Sequence, residues 1–186
     1  MGSAMESLRG KLLLASPTLQ DPNFTRTVVL IAEHTEEGAM GIVLNRPAET
    51  SVGDAVPDLA WLAGDEEQVF VGGPVAETAV IVLAEFDKPE LAGALVEEDL
   101  GFVGADADEP EQLDGAVRRA RVFAGHAGWG PGQLEDELAE DAWIVEPPQR
   151  EEIFTADPEH LWAAVLRRMG RRYALLSTMP PDPSLN

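Results

Sequence analysis

The hydrophobic pattern consists of short, unbroken apolar runs separated by turn-forming residues. Residues 10–16 carry Leu12-Leu13-Leu14-Ala15, and residues 27–32 read Thr27-Val28-Val29-Leu30-Ile31-Ala32. Runs this short, without polar alternation and rich in branched side chains, predict strands buried on both faces. Between them, Pro17 and the Asp21-Pro22 pair predict a rigid loop, since proline holds itself and its predecessor out of regular structure. Glu33-His34-Thr35-Glu36-Glu37-Gly38 is polar turn material. Ala39-Met40-Gly41-Ile42-Val43-Leu44 then predicts a strand returning antiparallel.

Asn45-Arg46-Pro47 ends that strand in this reading, because proline cannot donate a ladder hydrogen bond. Residues 51–64 predict one or two short helical turns that carry Leu59, Trp61 and Leu62 inward. Val69-Phe70-Val71 is a short strand running into Gly72-Gly73-Pro74, and residues 79–84 are a further buried strand. Acids dominate residues 85–114, which reads as surface with one strand near 101–103. Residues 121–124 lead as a strand into the stretch from Gly125 to Glu135. There Gly130 is the expected N-cap, Pro131 the first helical residue, and Leu134 and Leu138 an apolar pair. Trp143-Ile144-Val145 is a strand stopped by Pro147-Pro148.

The best-marked helix is the last. Asp157 and Pro158 open it, Leu161, Trp162, Val165, Leu166 and Met169 form one stripe, and Gly170 follows the end. Tyr173 to Leu176 is read as a final strand. Strands that come in runs as well as alternating with helices favour an α+β class over a doubly wound parallel sheet. The expectation is one domain over residues 1–186, a mixed β-sheet flanked by helices. Residues 1–7 are read as mobile or vector-derived, and residues 178–186 as a mobile tail.

Charge changes the picture. The 186 residues carry 34 acidic and 13 basic side chains, a formal net charge of -21. Such a field repels phosphate backbones and anionic lipid, so neither direct nucleic-acid contact nor membrane binding is expected. The chain has no cysteine, which excludes disulfides, thiol nucleophiles and Cys-ligated metals. No signal-like or membrane-length apolar run occurs, and the expected location is cytoplasmic.

Three stretches are candidates for chemistry. In Gly125–Glu135, Gly128, Trp129 and Gly130 stand beside His126, Gln133 and Glu135. Backbone N–H groups freed of side chains at a helix start can hold an anion. Equally, these residues can build a tight strand-to-helix turn with Trp129 plugging the core. The spacing matches neither a P-loop nor a dinucleotide fingerprint, and Glu135-Asp136-Glu137 would compete with an anion. In Asn45-Arg46-Pro47, the Arg46 guanidinium can clamp a carboxylate or phosphate, or serve an internal ion pair. In Gly72-Gly73-Pro74, a sharp turn lets a backbone or a ligand come close.

His34, His126 and His160 have no metal-ligand spacing, and His126 is the one acid or base candidate among them. No GxSxG elbow is present. No catalytic residue, metal or cofactor is assigned. Arg118-Arg119-Arg121 and Arg167-Arg168-Arg171-Arg172 read as solvated or paired with the acidic surplus.

The ordered set of motifs also resembles the YqgE/AlgH family of bacterial proteins. The matching stretches are Gly10-Lys11-Leu12-Leu13 through Asp21-Pro22-Asn23-Phe24, residues 38–47, Gly72-Gly73-Pro74-Val75, residues 128–135, and the Leu161-Trp162 helix. The resemblance covers nearly the whole chain. It departs at His126, where the family more usually carries an aromatic residue. It implies a compact α+β domain with a bifurcated sheet, and a biochemical function that is uncharacterised. One branch bears the name of a transcriptional regulator of exopolysaccharide synthesis. The functional expectation is therefore a non-catalytic binding or regulatory module, with the three motifs converging on a pocket for a small anionic ligand or a protein segment. An enzyme of unassigned class and a transcriptional regulator are the alternatives.

Overall fold

The computed structural model describes residues 5–104 and 110–180. Its strands are β1 (Leu12–Ala15), β2 (Val28–Thr35), β3 (Gly38–Val43), β4 (Pro47–Ser51), β5 (Gln68–Val71), β6 (Val75–Phe86), β7 (Ala94–Glu97), β8 (Leu100–Phe102), β9 (Val117–Trp129) and β10 (Trp143–Glu146). The helices are α1 (Val52–Ala55), α2 (Ala60–Ala63), α3 (Pro110–Leu113), α4 (Gln133–Ala139), α5 (Arg150–Ile153), α6 (Leu161–Arg168) and α7 (Arg171–Leu176). The main sheet runs β10-β1-β2-β3-β9-β6-β8-β7. This is the α+β architecture that the apolar runs predict.

The long strand β9 divides the sheet. Its Phe123 and Ala124 pair with both β5 and β6, so those two strands lie on opposite edges of it. Beyond Gly125, the edge that held β5 takes β3 instead, opposite Ala127 to Trp129. The sheet therefore forks at Gly125-His126. The β5–β9 pairing is parallel and the others antiparallel, which makes the sheet mixed.

Both faces of the β1–β2–β3 half are buried, as continuous apolar strands require. Leu12, Leu14, Val28 and Leu30 join the main core with Trp162, Val165 and Leu166 of α6. Leu13, Val29 and Ile31 face the other way, against Trp129, Leu134 and Trp143. Trp162 donates its indole N–H to the Ala15 carbonyl at 2.9 Å, which satisfies a buried polar group and pins α6 across β1.

Several expectations are corrected. Trp61 does not point inward: it is 46% exposed, whereas Leu59 and Leu62 pack on Val52 and Val69. Positions three apart share a helical face, and Trp61 lies off it. Residues 173–176 belong to helix α7, where Tyr173 and Leu176, again three apart, pack on the main core. The strand before Asn45-Arg46-Pro47 does end, at Val43, but Pro47 also opens β4, an edge position that leaves its missing N–H harmless. Within the acidic stretch, β7 and β8 form a hairpin that buries Val96 and Leu100 while Glu98 and Asp99 make its turn and Glu97 ends β7. Residues 105–109 of that stretch lie outside the described residues.

The described parts of the chain ends make a few contacts with the body of the fold. Ser7 donates its hydroxyl to the His34 carbonyl at 3.3 Å, and Arg26 donates to the Met179 carbonyl. Residues 1–4 and 181–186 lie outside the described residues. In the last helix the stripe is buried as expected, but Asp157 and Pro158 open a single 3-10 turn before α6 starts at Leu161.

Candidate functional site

Gly72-Gly73-Pro74 is the entire link between β5 and β6, so three residues must cross the β9 backbone. The Gly72 N–H donates to the Ala124 carbonyl and the Val43 N–H to the Gly72 carbonyl, both at 2.8 Å. A Cβ on Gly73, whose φ is 153°, would overlap the His126 carbonyl group. A Cβ on Gly125, at φ 75°, would lie 2.5 Å from the Gly73 carbonyl oxygen. These glycines therefore meet each other. The close approach they permit is that of one strand backbone over another.

It follows that Gly125 to Trp129 is strand, not a strand-to-helix turn. The turn is confined to Gly130-Pro131-Gly132, and Gly132, at φ 76°, is the residue before α4 in place of the expected Gly130. The Gly130 N–H donates to Gln133 Oε1 at 3.0 Å, and Gln133 Nε2 donates to Glu137 at 3.1 Å. The loop thus meets its own helix.

The second motif is equally engaged. Asn45 accepts the Val28 N–H at 3.0 Å and donates to the Arg26 carbonyl at 2.9 Å, tying β3 to the start of β2. The Arg46 guanidinium donates to three carbonyls: Asn23 at 2.5 Å, Pro22 at 3.0 Å and Thr25 at 3.1 Å. It thereby folds the proline loop against the sheet. Desolvation by burial lowers its pKa, with Asp21 acting in the opposite sense. Among the described residues, no carboxylate takes the fork of this arginine. Carbonyl oxygens do.

Of the twelve candidate residues, Arg46, Gly73 and Pro74 border one hollow, together with Glu77. Its volume is about 50 Å³, room for one or two waters and well below the size of a metabolite pocket. Asn45, Pro47, Gly72, His126, Gly128, Trp129, Gly130, Gln133 and Glu135 do not line it.

Glu135 does have a partner that the sequence did not flag. The buried His34 accepts the Leu8 N–H on Nδ1 at 3.0 Å, so its proton sits on Nε2, which donates to Glu135 at 2.6 Å. That hydrogen bond holds the Glu135 carboxyl below the usual carboxylate range. Both imidazole nitrogens are engaged, which leaves neither free to take a substrate proton. His126 is half-buried, with Nδ1 3.2 Å from the Ala127 carbonyl. Glu137 receives the indole N–H of Trp143 at 3.0 Å and that of Trp129 at 3.3 Å. It thereby satisfies the polar edges of a cluster in which Phe24, Trp129 and Trp143 pack at 5.6 to 6.3 Å.

Four arginines, Arg118, Arg119, Arg150 and Arg168, pair with acids. Glu85, 8% exposed, receives Arg119 and Arg150. Arg118 and Arg150 converge on Asp99. Burial alone would raise the Asp99 carboxyl, but the donors on it bring the net shift below the ordinary value. Arg168 joins α6 to Glu146 at 2.8 Å and Glu152 at 2.6 Å. Arg121 donates to the Thr155 carbonyl at 2.8 Å and lies over the Phe70 ring. Among the described residues, no group of three or more His, Asp or Glu side chains is placed to hold a metal ion. No helix there is long and apolar enough to cross a membrane.

A roomier concavity lies elsewhere. An apolar hollow of about 340 Å³ is bounded by Met40, Val80, Ile81, Leu95, Phe102 and Val103, with Ala32, Ala94 and Glu33 completing it. A second, more polar hollow of about 220 Å³ runs under Thr35, Glu37, Gly38, Ala39 and Trp129. The two share Glu33 and Met40, which are cross-strand partners in the β2–β3 hairpin. A bulge between Ile31 and Glu33 shifts the alternation, so that Glu33 and Thr35 turn outward while His34 turns in. Among these lining residues only Trp129 was a candidate. Nothing in the local sequence marks Met40, Ile81, Leu95 and Phe102 as neighbours, because they come from four strands.

Comparison with known proteins agrees with the fold at every level. The profile of the AlgH-like family matches residues 12–174. A UPF0301 protein of Streptomyces coelicolor is 46% identical over 188 residues, covering 98% of this chain and 97% of that one. A UPF0301 protein of Mycobacterium tuberculosis is 42% identical over 187 residues, covering 95% and 90%. Among solved structures, a Corynebacterium diphtheriae protein superposes with a TM-score of 0.83 at 27% identity, covering 96% of this chain and 95% of the other. The AlgH protein of Pseudomonas aeruginosa superposes with a TM-score of 0.70 at 29% identity, covering 97% and 98%. The forked sheet, the motifs that build it and these relatives lead to one conclusion: the chain belongs to the AlgH-like, or YqgE/AlgH, family, whose biochemical function is unknown.

Proposed function

We propose that this protein acts by binding, as a non-catalytic module whose partner occupies the groove over the Glu33–Met40 pair. One observation carries this reading. The two hollows share that pair as lining residues, and the wider, partly apolar one, about 340 Å³, is of a size that ligand sites use. The alternatives have less support. An acid–base role for Glu135 would need a free group beside it, and His34 already holds that carboxylate and the Leu8 amide. Direct DNA contact would need a broad basic stripe, whereas Arg118, Arg119, Arg150 and Arg168 bond to carboxylates, and the exposed Arg167, Arg171 and Arg172 stand on a chain of net charge -21.

The test is methyl-detected NMR of the full chain against a library of small fragments and short peptides. Binders should shift the methyl signals of Met40, Ile81 and Leu95 while leaving Leu13 and Val29, on the other face of the sheet, unmoved. Binders that map only to other surfaces would overturn the assignment of the groove. Steady turnover of any library compound, lost in Glu135→Gln, would restore the enzyme reading.

A further inference from the structure

We propose that the occupant of this groove is a short peptide segment of a partner protein that carries a bulky apolar side chain next to a lysine or arginine. The inference rests on the groove being a binding site and adds the chemistry of what binds there. Three features support it. The wider hollow is walled by Met40, Val80, Ile81, Leu95 and Phe102, which suits an apolar side chain and offers a deformable methionine at its edge. The smaller hollow is lined by Glu33, which it shares with the wider one, and by Thr35 and Glu37. Two concavities that share lining residues suit a chain that places one side chain in each better than they suit a compact metabolite.

Among the described acidic residues of the chain, Glu33 and Glu37 are the ones that line these two hollows. The carboxylates of Glu85, Asp99, Glu146 and Glu152 are held by arginines, and those of Glu135 and Glu137 by ring or indole N–H groups. Glu33 and Glu37 are exposed and make no side-chain hydrogen bond or ion pair with the described residues. Glu33 borders both hollows and Glu37 the smaller, more polar one, in a chain of net charge -21. A cation brought there meets attraction both locally and at long range, and an anion meets repulsion. Such complementarity governs which partner is accepted and how fast it arrives.

The probe is the fluorescent octapeptide Gly-Ser-Lys-Leu-Arg-Phe-Ser-Gly. One control replaces its Lys and Arg by Glu, and another replaces its Leu and Phe by Ser. Binding is read by anisotropy and by the groove methyl signals. The cationic, apolar peptide should bind, and both controls should be weaker by at least about tenfold. Binding should fall between low and physiological salt. The double substitution Glu33→Gln and Glu37→Gln should weaken it by about tenfold while leaving the fold intact, since both side chains are exposed. Val80→Arg should abolish it, because Val80 is 47% exposed on the groove wall and can change without disturbing the core.

Equal binding of the acidic control, or no effect of the double substitution, would overturn the cationic partner and leave the groove standing. If no peptide moved the groove methyls, the peptide proposal would fall, and the fragment screen would decide the groove by itself. Concentration-dependent self-association that Val80→Arg removes would replace the peptide with a second copy of this chain.

Discussion

The fork at Gly125 and the groove over Met40 lie on the same two-sided sheet and are built in opposite ways. The fork uses the most conspicuous residues of the chain: Gly72, Gly73, Pro74, Gly125 and the Asn45-Arg46-Pro47 strand end. Its hydrogen bonds run to backbone groups of this protein, from Gly72 to Ala124 and from Arg46 to Pro22, Asn23 and Thr25. The groove uses ordinary side chains, Met40, Val80, Ile81, Leu95 and Phe102, and leaves space between them. Where the chain is chemically distinctive it is closed. Where it is open it is chemically plain. Glycine and proline mark the places where backbones come close, and those places need not be where a partner enters.

Substitutions can break that comparison. The largest stability effect belongs to Gly73→Ala, since the added methyl would overlap the His126 carbonyl at a φ of 153° that side chains rarely adopt. A loss of about 3 kcal/mol or more is expected in urea denaturation. A near-neutral result would mean that the crossover can relax. Arg46→Ala comes next. It leaves three carbonyls of the proline loop without their donor, and roughly 2 kcal/mol should be lost. Arg46→Lys should recover part of this, because an ammonium reaches fewer of those carbonyls at once. If Arg46→Ala kept full stability yet lost a ligand, the fork would be a site after all.

Glu135→Gln should cost less, under about 1 kcal/mol, because the glutamate side chain is 39% exposed and solvent screens its bond to His34. The pH signature is directional. Hydrogen bonding to His34 lowers the Glu135 carboxyl below its unfolded value. Its contribution is therefore present above the ordinary carboxylate range and lost as pH falls through the folded value. Denaturation midpoints across that acid window should fall less steeply in Glu135→Gln than in the wild type. Parallel curves would show that the bond carries no charge dependence. Smallest of all in stability is Val80→Arg, expected within about 0.5 kcal/mol on an exposed wall position. Its effect on groove binding should be complete. That pairing of intact fold with lost binding is what separates the groove from the fork.

Much of the fold was legible in the residues. The runs at Leu12, Val28 and Ile42 are strands buried on both faces, the β2–β3 hairpin is antiparallel, and the stripe from Leu161 to Leu166 packs on the core. Short elements were harder. The Tyr173–Leu176 segment carries an aromatic and two leucines that suit a strand or a helix, and packing of Tyr173 and Leu176 on one face selects the helix. The β7–β8 hairpin was hidden because its acids cluster in the turn and mask the apolar residues on either side.

Of the candidate site, the sequence identified residues under unusual constraint but not the nature of the constraint. Gly73 could equally have faced a phosphate or a peptide backbone, and Arg46 a carboxylate or a carbonyl. Those distinctions depend on what lies opposite, and the opposing groups come from far along the chain. The amino-acid pattern by itself determined the class of fold, the buried runs and the acidic character, because burial periodicity and charge are local properties. The tertiary structure alone decided that His34 holds Glu135, that Gly72-Gly73-Pro74 bridges β9, and that Glu33 and Met40 line two hollows. Each of these is a meeting of segments that only the forked sheet brings within contact distance.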